Sequence, residues 1–173
     1  MVRLYMKEAF VSKKERVIVK NESGQDIFLV VGKWGRIGDT LSLYAMNGSL
    51  LVEVKQVTLS LLPKFDLYVH NKKIGSITKH LGYRKPYFKV SHLNWIVSGD
   101  FEAHCYYIKH LQKTIMEMEK TSISFGDFYM LTISDPYYAP ICVVISLIVD
   151  HYAKDKKKDG KKAPEKLQII QPV

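Results

Sequence analysis

The sequence predicts a mainly β domain of about twelve short strands with one apolar helix near its end. Three observations predict it. Valine, isoleucine and threonine number 16, 15 and 6 and the aromatics 20, so a third of the 173 residues are of types that favour strands. Alanine, the best helix former, occurs only six times. Strand-like runs recur at intervals of about 8–12 residues with turn chemistry between them, the pattern of a barrel or sandwich built mainly as a meander. The length is that of one ordinary domain. With 47% apolar and 25% charged residues the chain is not wholly disordered.

In the first run Leu4, Met6 and Glu8 share one face and Tyr5 and Lys7 the other. Arg16 to Lys20 is the second run, and Asn21-Glu22-Ser23-Gly24 turns it. Ile27 to Gly38 reads as a long strand carrying Trp34. Leu41 to Ala45 and Leu50 to Leu59 flank Asn47-Gly48, the strongest short hairpin signal. Phe65 to Val69 and Ile74 to Thr78 flank His70 to Lys73 as a further hairpin. Tyr87 to Val90, Trp95 to Val97, Phe101 to Tyr107, Lys109 to Met116 and Asp127 to Ile133 follow as strands.

The pattern then changes. Ser134-Asp135-Pro136 and Ala139-Pro140 offer a helix start, and Ile141 to Val149 is apolar on every side except for Ser146. Eleven residues from Ala139 to Val149 span about 16 Å as helix, too short for a membrane, which needs about 20 residues. A helix apolar all round has to be buried, and the inside of a barrel is the place available. A buried strand is the competing reading.

The net charge is +9, and Lys154 to the end carries seven lysines against three acids. Residues 154–173 therefore read as a solvated, flexible tail on a domain of residues 1–153, whose helix covers about 138–153. A positive balance favours anionic partners, nucleic acid or acidic lipid. Cys105 and Cys142 read as buried free thiols of a reducing cytoplasm. No secretory leader or lipidation motif is read at the ends.

Several segments resemble the LURP-one-related family in order and spacing. These are Tyr5-Met6-Lys7, Val17 to Gly24, Val31-Gly32-Lys33 through Ile37-Gly38-Asp39, and Leu43 to Gly48. They continue with Lys55 to Phe65, Lys85-Pro86-Tyr87-Phe88, Gly99-Asp100-Phe101 and Ala139-Pro140 through Asp150, covering residues 1 to about 153. The resemblance implies the tubby-like fold, a closed barrel of about twelve mostly antiparallel strands around a central apolar C-terminal helix. Its small bacterial members are the nearest in style. Tubby domains bind phosphoinositides through surface lysines and arginines, and phospholipid scramblases share the fold. No catalytic residue set comes with the family, and the lipid-binding residues of tubby have no position-by-position match here.

Gly32, Gly35 and Gly38 lie between strands, not before a helix, so a bulged hairpin accounts for them better than a phosphate loop. The six histidines show no zinc spacing, and no metal or cofactor is expected. No serine sits in a nucleophile elbow. Asp150 and His151 are adjacent on a helix and so point about 100° apart, while Glu117 and Glu119 share a strand face. His104 and Cys105 fall on one strand with opposite faces. The best candidate is the basic-aromatic segment Lys79 to Tyr87, read as a loop. There Lys79, Arg84 and Lys85 converge on a phosphate and Tyr83 lies at a headgroup boundary. Lys33, Arg36 and Lys64 are weaker members.

The expectation is a non-catalytic binding or scaffold protein of the bacterial cytoplasm, peripheral at the membrane. Its ligand is an anionic headgroup or another phosphorylated molecule. The alternative is a nucleic-acid binder using the basic body and tail.

Overall fold

Period 2 sorts the strands into an inward apolar set and an outward polar set, and the inward set needs a filling. The computed structural model describes residues 1–7, 16–32, 38–57, 62–123 and 126–159, with the backbone alone at 123 and 152–159. Twelve strands follow one another: β1 (Val2–Lys7), β2 (Arg16–Asn21), β3 (Asp26–Gly32), β4 (Thr40–Ala45), β5 (Leu50–Gln56), β6 (Lys64–Val69), β7 (Lys72–His80), β8 (Tyr87–Val90), β9 (Trp95–Asp100), β10 (Cys105–His110), β11 (Lys113–Ile123) and β12 (Gly126–Ile133). A 3₁₀ turn, Pro136–Tyr138, leads into α1 (Ala139–Asp159). Each strand pairs antiparallel with its sequence neighbours, and β1 pairs with β12 from Val2↔Ile133 to Lys7↔Phe128. The meander therefore closes into a barrel without a free edge.

Alternation places Leu4 and Met6, Val17 and Val19, Leu41 and Leu43, Val52 and Val54, Phe65 and Leu67 inside. The helix fills the lumen, and residues 141–151 are all buried. Burying its seven valine, isoleucine and leucine side chains contributes roughly 10–20 kcal/mol as an upper bound. Ser146, the polar interruption, is satisfied within the core. Its hydroxyl donates to the Cys142 carbonyl at 2.8 Å, and its own carbonyl accepts from the Tyr106 hydroxyl at 3.1 Å. Burial pushes the Tyr106 phenol and the Cys142 thiol well above their ordinary values, so both stay neutral.

The helix enters where the sequence places its start. Asp135 accepts from the Tyr137 amide at 2.9 Å, with Pro136 just inside, and Trp95 packs edge-on to Tyr138 at 5.0 Å. In a meander, alternate connections fall at opposite ends. The turn between β8 and β9 therefore lies with the helix start, and that between β9 and β10 with its exit. The helix runs to Asp159, past residue 153. No helix among the described residues is long and apolar enough to cross a membrane.

Four local expectations are corrected. Phe101 is not in a strand: Asp100 accepts from the Glu102 and Ala103 amides at 3.1 and 2.9 Å, which bends Phe101 to His104 into a turn. His104 sits in that turn at φ 54, not on a strand beside Cys105. Lys109 to Met116 is two strands, broken at Leu111 with φ 53. Cys105 is exposed, because its neighbour Tyr106 takes the inward position. Beyond Gly32 the long third strand enters 33–37, which lie outside the described residues together with Trp34 and Gly35. The tail from 160 onward does so too.

Candidate functional site

The candidate loop is shorter than the sequence suggests. Lys79 and His80 belong to β7 and Tyr87 to β8, leaving 81–86 as the connection. Lys79 lies directly across from Phe88, which is buried inside the barrel. Cross-strand partners share a face, so Lys79 is on the inner face at the barrel mouth. His80 and Tyr87 are on the outer face, where their rings stack at 5.0 Å and 9°. Between them Leu81, Tyr83, Arg84 and Lys85 are exposed, Tyr83 fully. Gly82 makes this connection possible: its φ is +61, and a Cβ there would meet the Lys85 carbonyl oxygen at 2.2 Å.

Of the four candidates, Lys85 borders a cavity. It is a concavity of about 560 Å³ on the outer wall across β8, β9 and β10, lined by Lys85, Pro86, Tyr87, Ile96, Ser98, Gly99, Asp100 and Tyr107. The strand register assembles it. Phe88↔Val97 is an inward pair, which sets Tyr87 beside Ser98 on the outside, and Ser98 pairs with Tyr107. A row Tyr87–Ser98–Tyr107 results. The next outward row is Lys89–Ile96–Lys109, and the Lys109 ammonium stands 4.4 Å from the Tyr107 ring centroid. Gly99, at φ +150, lets β9 approach β10 closely, since a Cβ would sit 2.5 Å from the Tyr106 Cα.

The structure thus separates Lys79 from Lys85 by a strand face and leaves Arg84 and Tyr83 on the rim. Lys64 opens β6 opposite Thr78, and Lys33 and Arg36 lie outside the described residues. Sequence reasoning missed Ser98, Asp100, Tyr107, Lys89 and Lys109. The signal that finds them is strand parity combined with meander adjacency. Chemically the pocket offers a cation, a carboxylate, a hydroxyl and two phenol rings. Lys85 and Asp100 each pair with no oppositely charged side chain among the described residues.

A second polar cluster closes the barrel mouth. His104 Nδ1 lies 2.6 Å from Asp150 Oδ1, out of line for a regular hydrogen bond, with Asp150 buried on the helix. The His104 ring also rests 4.9 Å from that of buried Tyr129. Among the described residues no three histidine, cysteine or carboxylate groups are placed to hold a metal ion.

Residues 2–150, all the described strands and the helix as far as Asp150, match the LURP-one-related family. The chain belongs to this family. Over 150 residues it is 30% identical to the uncharacterized protein YxjI of Bacillus subtilis, covering 87% of this chain and 93% of that one. The X-ray structure of a protein from Arabidopsis thaliana superposes with a TM-score of 0.60 at 13% identity, covering 87% of this chain and 90% of the other. That likeness concerns the fold. Among the described residues, twelve antiparallel strands closed around a C-terminal helix are the tubby-like architecture that the resemblance implies.

Proposed function

We propose that this LURP-one-related protein is a non-catalytic binding or scaffold protein that takes an anionic headgroup or other phosphate-bearing ligand at the barrel mouth, peripheral to a membrane on its cytoplasmic side. The observation that carries the reading is Lys85 on the edge of the outer cavity, beside the exposed Arg84 and Tyr83. Arginine and lysine on one short loop suit phosphate oxygens, and the tyrosine suits the boundary between headgroup and water. Lys79 contributes to the mouth from the inner face. The helix leaves the barrel at this same end, so the lysine-rich sequence after His151 adds long-range attraction to an acidic surface.

Sedimentation with anionic and with neutral vesicles tests this. Binding to anionic vesicles is expected to fall about tenfold or more in the Arg84→Ala, Lys85→Ala double variant, at roughly 1 kcal/mol per cation. Lys79→Ala is expected to cost less. A double variant that binds anionic vesicles like the parent refutes the reading. A salt-dependent gel shift without vesicle binding would favour nucleic acid instead.

A further inference from the structure

We propose that the outer cavity binds a zwitterionic phosphate ester, a phosphorylated amino alcohol whose phosphate meets Lys85 and whose ammonium group meets Asp100 and the Tyr87 and Tyr107 rings. This rests on the phosphate reading above and narrows it. A site built for a simple anion has no use for a carboxylate, yet Asp100 lines the same cavity as Lys85. Asp100 is also held in place, because its Oδ1 accepts from two amides of the following turn. Both groups are exposed and neither pairs with an oppositely charged side chain among the described residues, so both are open to a ligand carrying both signs.

The rings point the same way. Tyr87 and Tyr107 flank Ser98 from the two neighbouring strands, about 5 Å to either side. A cation above Ser98 therefore lies within the roughly 6 Å reach of both ring faces. One face of Tyr87 is taken by His80 and one face of Tyr107 by Lys109, leaving the others for a ligand. About 560 Å³ falls within the ordinary range of small-molecule sites.

Calorimetric titration of the full chain with O-phosphocholine, inorganic phosphate and choline tests the proposal. O-phosphocholine is expected to bind about tenfold tighter than either half. Asp100→Asn keeps the acceptor oxygen that the turn uses, so folding is retained. It is expected to weaken O-phosphocholine about fivefold while leaving phosphate unchanged or tighter, a divergence that mere loss of structure does not produce. Tyr107→Leu, on the exposed wall, is expected to weaken O-phosphocholine and spare phosphate. Phosphate binding as tightly as O-phosphocholine, or an Asp100→Asn variant unchanged toward both, overturns the zwitterion. The anion reading survives that outcome if Lys85→Gln still abolishes phosphate binding, and falls if it does not. Competition by phosphatidylcholine vesicles identifies a lipid headgroup as the source, and its absence a free ester; either result accompanies a site that discriminates as described.

Discussion

The two ends of the barrel are built from the same strands by different means. At the end where the helix enters, connections are short: His70 and Asn71 join β6 to β7 with φ 47 and 62, the two-residue turn whose twist matches that of paired strands. The 3₁₀ turn that leads into the helix is capped there by Asp135, and Trp95 packs against its Tyr138. At the end where the helix leaves, the 81–86 connection projects Leu81 and Tyr83 into solvent, and Lys85 meets the cavity. The contrast teaches a division of labour. Local turn chemistry specifies one end, which frees the other to carry exposed cations and rings that add nothing to the core.

Stability measurements sharpen this contrast. The largest effect belongs to the helix, which serves both ends: Ile145→Ala, at a fully buried position, is expected to cost about 2–5 kcal/mol in urea unfolding. Next is the tight end. Asn71→Ala places an ordinary side chain at φ 62 and is expected to cost about 1 kcal/mol, whereas Tyr83→Ala at the mouth should stay within about 0.5 kcal/mol. If the two substitutions proved equal, the division between ends would fail.

The smallest effect is one of pH. Partial burial pushes the Asp66 carboxyl up, but hydrogen bonds from Lys73 and Ser76 outweigh it and hold the group below the ordinary carboxylate range. A depressed folded value means stability that is present above the unfolded value near 3.9 and lost as pH falls through the folded one. Asp66→Asn is therefore expected to flatten the acid limb of the stability curve below about pH 4 and to leave its slope near neutrality unchanged.

Much of the architecture was legible because turns announced themselves. Asn47-Gly48 and His70-Asn71 mark connections that the structure contains. Leu111 and Phe101 did not, since each is an apolar residue in a turn and reads as strand interior until the backbone is seen. The site shows the same limit. Arg84, Lys85 and Tyr83 are neighbours in sequence, so their clustering could be read directly. Ser98, Asp100 and Tyr107 join them only through the β8–β9 and β9–β10 registers, which no local signal in the sequence encodes. Lys79 illustrates parity: two more residues of β7 turned it from a loop cation into one on the inner face.

The helix that fills the lumen is also the last part of the fold to leave the ribosome, and the closing pair joins the first strand to the twelfth. The strands are thus all synthesised with their inner apolar faces uncovered and, until the twelfth, with their ring unsealed. Such long-range closure is slow compared with the local hairpins, and the waiting chain exposes both strand edges and core residues. The vulnerable moment for this protein therefore falls during and just after synthesis, when holding chaperones have an open trough to bind, and ends when Ile141 to Val149 drops into place.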